Sequence, residues 1–319
     1  MEQKLNLSRN ISEHLRSHPQ EKFTARELAN WLFATHPAAC LAKMKRSEAI
    51  KNNSELIQQL VAEIGSKYPG LQKHDPGLKT TEGRPRKYYY TPLSDRAEIE
   101  AAEATETATK PSSSEATQPS LNEHALYPKL AQYLHSERGL HAMRIDEKRA
   151  FNRRGPNGNR WLYPDVVALE DLGADWTREV SDCVEEHGAQ RTRLWSFEVK
   201  LLINSSNVRE CFFQTVSNSS WANFGYLVSA EIGGKETLTE LRMLSAAHGI
   251  GFIHLDTDNP ADSQIVLPAR ERDLIDWNLA NRIASENSDF LNYIRLVWRF
   301  HRNRGSMNPR EWNLHLEQD

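Results

Sequence analysis

The chain has 319 residues, of which 39% are hydrophobic and 26% are charged, and its formal net charge is −3. It is too long for one small domain and too apolar for a disordered chain, so two globular domains are expected. No apolar run approaches the ~20 residues of a membrane span, and the opening MEQKLNLSRN lacks an apolar signal region, which predicts a cytoplasmic protein.

Residues 1–93 carry three predicted helices and then a hairpin. The helices lie in NLSRNISEHLRSH, FTARELANWLFATHP and SELIQQLVAEIGSKYP. Thr24 is the predicted N-cap of the second helix, with Glu27 at the capping-box position, and the third is predicted to end near Gly65 and Pro69. The hairpin lies in LQKHDPGLKTTEGRPRKYYYTP, which has Gly and Pro turns and an aromatic run. This order predicts a winged helix-turn-helix domain.

The same segment is basic, with 15 Lys and Arg against 9 Asp and Glu in residues 1–93. In a winged helix bound to DNA, the third helix enters a groove and the hairpin flanks it at the phosphates. The predicted DNA-binding residues are Lys79, Arg84, Arg86 and Lys87. Winged helices also serve as protein–protein adaptors, and a basic hairpin also occurs as a solvated edge, so these alternatives stay open.

Residues 94–120 are predicted to be a disordered, acidic, Ser/Thr/Pro-containing linker. Within them, AAEATETATKPSSSEATQPS contains only Ala, Glu, Thr, Lys, Pro, Ser and Gln. Such a segment has no apolar bulk to offset the entropy lost on ordering. The linker therefore separates the first domain from a second one at 121–319.

Residues 121–319 have an α/β pattern. A helix is predicted in LNEHALYPKLAQYLHSE, and strands in HAMRIDEKRAF, NRWLYPDVVALE, LWSFEVKLLI and FGYLVSAEI. A helix in SNVRECFFQTVSNSSWA separates the last two strands, and a polar excursion at 171–193 separates the second and third. The predicted fold is a mixed sheet flanked by helices, closed by a long helical segment.

Two of these apolar strands carry charge: Asp165 in one, Glu198 and Lys200 in the next. Burying an unpaired charge costs several kcal/mol, so these groups need partners. Because alternate strand residues share a face, Glu198 and Lys200 point together, and Asp165 reaches them from the neighbouring strand. Two such carboxylates can hold Mg²⁺, with waters and a phosphate oxygen as further ligands. The alternative is an ordinary salt-bridged strand pair.

Pro164-Asp165 and Glu198-Val199-Lys200 resemble the signature of the PD-(D/E)xK nuclease superfamily, over residues 121–260 or so. The resemblance implies a restriction-endonuclease-like core. It implies that Asp165 and Glu198 bind Mg²⁺ or Mn²⁺, with the Val199 carbonyl as a possible third ligand, and that Lys200 is catalytic.

Two further site residues follow from the same resemblance. Glu123, on the first helix, is a candidate metal ligand; a Glu favoured there by the helix dipole is the alternative. Gln214, on the helix after the lysine strand, is a candidate catalytic residue; a solvated or capping role is the alternative.

The whole chain also resembles a bacterial family that joins a winged helix to such a nuclease-like domain. The resemblance lies in GRPRKYYYT, NRRGPNGN, LYPDVVALED, LWSFEVKLLIN and SNSSWANFGYLV. It implies a Mg²⁺-dependent DNA endonuclease of restriction or anti-phage defence. The alternative function is a DNA-binding transcriptional regulator whose nuclease-like domain is inactive and serves for dimerisation or sensing. The sequence does not choose between DNA and RNA as the substrate.

Two sets of large apolar side chains carry further predictions. A stripe in the C-terminal helical segment predicts a homodimer through the second domain, with packing on the chain's own sheet as the alternative. Its members are Leu274, Trp277, Phe290, Ile294, Val297 and Trp298. For Trp221, Phe224 and Tyr226, core packing is favoured over base stacking.

Overall fold

A computed structural model describes residues 5–19, 21–46, 50, 52–107, 122–151, 161–303, 305 and 309–312 of the chain. The chain is an α/β protein that divides into two compact units. Unit 1 comprises Met1–Glu98 and Ile232–Glu236, and unit 2 comprises Ile99–Glu231 and Thr237–Asp319. None of the helices formed by the described residues is long and apolar enough to cross a membrane.

Unit 1 combines helices with a small antiparallel sheet of strand order β1-β3-β2. Its elements are α1 (Leu7–Ser17), β1 (Phe23–Thr24), α2 (Ala25–Thr35), α3 (Pro37–Lys45), α4 (Asn53–His74), β2 (Leu78–Thr80), β3 (Lys87–Tyr90) and the start of α5 (Asp95–Thr107). The predicted capping box is confirmed, because Thr24 and Glu27 exchange both hydrogen bonds at the start of α2. Leu28, Leu32 and Leu60 lie in the core of the unit.

The helices of unit 1 differ from the predictions in two places. Helix α3 was not predicted, although Pro37 at its first turn has the backbone angle that a helix start needs. Helix α4 does not end near Gly65 and Pro69 but continues to His74. The hydroxyl of Tyr68, which is buried in the core, lies within hydrogen-bond distance of backbone carbonyls of β2 and β3, and this packing outweighs the bond that Pro69 cannot donate.

Part of the predicted linker is ordered. Residues Asp95–Thr107 form α5, which corrects the prediction that all of 94–120 is disordered. Lys79 accounts for the difference: its ammonium lies 2.8 Å from Asp95 Oδ1 and also pairs with Glu98, so it fixes the first turn of the helix. The predicted linker residues from 108 onward lie outside the described part of the chain.

Unit 2 contains a six-stranded mixed sheet of strand order β4-β5-β6-β7-β8-β9. Its elements are α6 (Glu123–Arg138), β4 (Leu140–Arg144), β5 (Val166–Asp171), α7 (Arg178–Glu186), β6 (Thr192–Ile203), α8 (Val208–Asn218), β7 (Phe224–Ile232), α9 (Lys235–His248), β8 (Gly251–His254), β9 (Gln264–Leu267), α10 (Trp277–Glu286), α11 (Ser288–Arg302) and α12 (Pro309–Trp312). Pairs β4–β5, β5–β6 and β8–β9 are antiparallel, whereas β7–β8 is parallel. The predicted turn RRGPNGN between the first two strands lies wholly outside the described residues, and α7 occupies part of the polar excursion.

The C-terminal stripe is divided between core and surface. Asn287 ends α10 and caps α11, so the predicted long helix is two helices. Phe290 and Val297 are buried with Val167 and Leu194 of the chain's own sheet, as the alternative interpretation held. The surface available for a homodimer is correspondingly smaller, although Leu274, Trp277 and Trp298 are exposed. Trp221 and Tyr226 are buried, which agrees with core packing.

Candidate active site

Strand register brings Asp165 opposite Glu198. In the antiparallel β5–β6 pair, Val166 is the partner of Phe197, and Asp165 immediately precedes Val166. The Asp165 N–H donates to the Phe197 carbonyl at 3.1 Å, and the Val199 N–H donates to Asp165 Oδ2 at 2.7 Å. The two predicted acidic residues therefore meet at one point of the sheet, held there by backbone hydrogen bonds.

Lys200 and Glu123 complete a four-residue charged cluster with Asp165 and Glu198. Lys200 Nζ lies 2.7 Å from Glu198 Oε1 and 3.6 Å from Glu123 Oε1. Glu123 is the first residue of α6, where the N-cap Asn122 accepts the Ala125 N–H at 2.8 Å. A carboxylate is favoured at this end of a helix, so the dipole and the lysine both hold Glu123 at the site.

Burial dominates the electrostatics of the cluster. The Glu198 side chain is fully buried, and this burial, together with the charge of Asp165, raises its pKa to about 8 against the opposing effect of Lys200. Burial also raises the pKa of Asp165, opposed by Lys200 and by the Val199 N–H. For Lys200, burial lowers the pKa, but the three neighbouring carboxylates outweigh it and hold the pKa well above its ordinary value. Lys200 is therefore a protonated cation among crowded carboxylates.

The donor set fits a hard divalent cation. Asp165 and Glu198 offer carboxylate oxygens, and Mg²⁺ is typically bound by one or two carboxylates while keeping several waters. Burial raises the pKa of both acids, and the charge of Asp165 adds to the rise at Glu198; a divalent cation bound between them would favour the ionised carboxylates. In the described residues, no group of three or more His, Cys, Asp or Glu side chains is arranged as a ready-made metal site. The two-carboxylate set is thus the candidate.

The remaining predicted site residues are less well defined by the geometry. Val199 is buried and engages Asp165 through its N–H, while the metal-binding role of its carbonyl stays a prediction. Gln214 is half-buried on α8, the helix that follows β6, and its catalytic role also stays a prediction.

No protein-family model and no curated protein matches the chain. One solved structure is similar: the SPO1766 protein of unknown function from Silicibacter pomeroyi, at 16% sequence identity and a TM-score of 0.28, over 61% of this chain and 98% of that chain. The candidate site therefore rests on its own geometry.

All four predicted DNA-binding residues lie in the β2–β3 hairpin of unit 1, and the ammonium of one of them, Lys79, is engaged internally. Arg84 and Arg86 are exposed, although Arg86 also pairs with Glu82 at 2.7 Å, and Lys87 is half-buried. Lys79 differs, because Asp95, Glu98 and the Leu93 carbonyl engage its ammonium. This internal pairing argues against the predicted phosphate contact at Lys79.

Sequence reasoning missed Asn218, the last residue of α8. Its Nδ2 donates to Glu198 Oε2 at 2.5 Å and to the Tyr163 carbonyl at 3.3 Å, and the side chain is fully buried. Asn218 therefore fixes the Glu198 carboxylate on the side away from Lys200. An asparagine near a helix end is typical of a cap, so the sequence alone gives no signal for this contact.

We expect Asn218→Ala to destabilise unit 2 and to slow the chemistry of the site. The substitution removes a donor from a buried carboxylate, which costs about 1–3 kcal/mol in the free energy of unfolding. Urea denaturation and the cleavage rate proposed below are the measurements. The matched control is Asn278→Ala at an exposed position of α10. An Asn218→Ala protein as stable and active as the wild type would show that Asn218 does not hold Glu198.

Proposed function

We propose that this protein is a Mg²⁺-dependent DNA endonuclease that hydrolyses phosphodiester bonds at Asp165, Glu198 and Lys200. The observation that carries the proposal is the placement of two acids from neighbouring strands around one lysine, with Lys200 Nζ 2.7 Å from Glu198 Oε1. The order α6, β4, β5, β6, α8, β7, with α7 between β5 and β6, also supports a restriction-endonuclease-like core.

Each residue of the cluster has a distinct task in this proposal. Asp165 and Glu198 would hold Mg²⁺, which when bound supplies positive charge at the scissile phosphate and acidifies bound water. Lys200, whose raised pKa keeps it protonated, acts as a hydrogen-bond donor rather than as a base. Its ammonium can orient the attacking water or stabilise charge that develops on the phosphate. Asn218 keeps the Glu198 carboxylate in place.

Unit 1 is proposed to be the winged helix that selects the DNA. Helices α1 to α4 and the β2–β3 hairpin, with Arg84 and Arg86 exposed, support this role. Restriction or anti-phage defence is proposed as the biological setting, on the resemblance of the whole chain to winged-helix nucleases of bacteria.

The direct test is incubation of the purified full chain with supercoiled plasmid and Mg²⁺. We expect nicked or linear product, no product in EDTA, and recovery when Mg²⁺ or Mn²⁺ is added back. Linear product at early times would indicate two sites acting together, as a homodimer provides, whereas nicked product indicates one site. Single-stranded DNA and RNA substrates, assayed in parallel, determine the substrate class.

A Lys200→Ala protein purified in the same way is the control for contaminating nucleases. If the wild type binds DNA but cleaves none of these substrates with either metal, the endonuclease proposal is wrong. That result would favour the transcriptional regulator with an inactive nuclease-like domain.

A further inference from the structure

Arg144, the last residue of β4, brings a second cation to the candidate site. It pairs with Val166 in the β4–β5 ladder, and the next residue, Ile145, donates its N–H to the Asp165 carbonyl at 2.9 Å. Arg144 is thus adjacent, across the sheet, to the start of the strand that carries Asp165. Its position is fixed by backbone pairing.

The guanidinium of Arg144 is held by the first turns of α6. Arg144 Nη2 lies 2.8 Å from His124 Nδ1, and the guanidinium carbon lies 4.9 Å from the centre of the Tyr127 ring. His124 and Tyr127 follow Glu123 on the same helix, so one stretch of α6 positions both Glu123 and the Arg144 side chain.

One hydrogen-bond donor of this guanidinium has no acceptor among the described residues. Arg144 Nε is buried and has no hydrogen-bond partner within the described residues. Buried donors are nearly always satisfied, so an orphaned one beside a reaction site points to a missing ligand. The planar fork of arginine matches the oxygens of a phosphate group.

The two cations of the site have different partners. Lys200 forms ion pairs with Glu198 and Glu123. Among the described residues, the guanidinium of Arg144 contacts an imidazole nitrogen and an aromatic ring and forms no ion pair within 4 Å, although its charge also acts on Asp165. Because the acidic cluster repels a phosphodiester, a cation with only this partial compensation can attract the substrate.

We propose that Arg144 binds a backbone phosphate of the substrate strand next to the cleaved bond. The N–H groups of its guanidinium donate to the phosphate oxygens, and this contact positions the strand against Asp165, Glu198 and Lys200. The inference rests on the proposed nuclease function, since it assigns the substrate contact of that same site.

The test compares Arg144→Met with Arg178→Met in the full chain. Methionine keeps much of the apolar packing on Tyr127 and removes the charge, and Arg178 is an exposed arginine of α7. For Arg144→Met we expect kcat/KM on plasmid to fall about a hundredfold, the scale on which a misplaced substrate slows a reaction. Arg178→Met should cleave as the wild type does.

A second readout does not depend on cleavage. Binding of a fluorescein-labelled DNA duplex is measured in EDTA at several NaCl concentrations. The slope of log affinity against log salt should be smaller by about one for Arg144→Met, because one phosphate contact is lost. It should not change for Arg178→Met. If Arg144→Met has the wild-type slope, Arg144 does not contact a phosphate and the inference is overturned.

If Arg144→Met does not fold, Arg144→Lys is the variant to test in its place. Lysine keeps the charge and therefore the salt slope, but it lacks the planar fork, so cleavage should still fall. Full activity of Arg144→Lys would show that the planar guanidinium group is not required for cleavage. If the wild type cleaves nothing, the endonuclease proposal fails, and the salt slope still decides whether Arg144 contacts phosphate.

Discussion

We expect Lys200→Ala to lower the rate of DNA cleavage about a thousandfold, the upper range for removing one positioned donor from a reaction site. The ammonium is the only cation that the described residues place within 4 Å of Glu198, and it is held protonated by the surrounding carboxylates. Asp165→Asn should have a comparable effect, because it removes a proposed metal ligand while conserving the shape of the side chain. Initial rates on plasmid at saturating Mg²⁺ measure both losses.

The two substitutions differ in their effect on folding, which makes them informative together. Lys200→Ala leaves buried carboxylates without their partner, a change that is strongly destabilising in a protein interior. Asp165→Asn removes a buried negative charge whose burial raises its pKa, so the substitution should be tolerated or even stabilising. A loss of cleavage in Asp165→Asn at unchanged thermal stability therefore identifies chemistry rather than unfolding as the cause.

Lys129→Ala is the matched control for the lysine substitution. Lys129 is a half-buried lysine of α6 that donates to the Thr257 carbonyl at 2.6 Å, so its removal also perturbs an internal contact. It should leave cleavage unchanged. DNA affinity should stay within a few fold for all three variants, because it comes mainly from counterion release at other residues. Equal cleavage by the wild type, Lys200→Ala and Asp165→Asn would refute the site.

The sequence predicts the centre of the site because strand geometry is local and periodic. Alternation places Glu198 and Lys200 on one face, and a charge inside an apolar run needs a partner, which leads to Asp165. The structure brings these residues together, with Glu123 added at the end of α6. Glu123 is predicted as a metal ligand only through the resemblance to the nuclease superfamily, because an isolated Glu at the start of a helix does not by itself indicate a metal site.

The supporting contacts were not predictable from the sequence. Asn218 reaches Glu198 from twenty residues away along the chain, and His124 reaches Arg144 over the same separation. No periodicity encodes such pairs, because they depend on how α8 and α6 pack against the sheet. The same limit applies to α4, whose continuation through Pro69 depends on tertiary contacts.

The prediction with the largest effect on binding concerns the basic hairpin of unit 1. Replacing Arg84, Arg86 and Lys87 together by alanine should lower DNA affinity about a hundredfold near 0.1 M salt, since three lost phosphate contacts reduce the salt slope by about 2.7. Lys79 is left unchanged, because its pairing with Asp95 makes it a structural residue. Fluorescence anisotropy with a labelled duplex at several salt concentrations measures both quantities.

The control for this triple variant removes the same charge from unit 2. Arg178, Arg209 and Arg299 are at least partly exposed cations of α7, α8 and α11, and their replacement by alanine should change the affinity only slightly. Cleavage by the hairpin variant should recover at high DNA concentration, because the cluster around Lys200 is untouched. If the hairpin variant binds DNA as tightly as the control at every salt concentration, the hairpin is a solvated edge that does not contact DNA. Unit 1 would then be interpreted as a protein–protein adaptor.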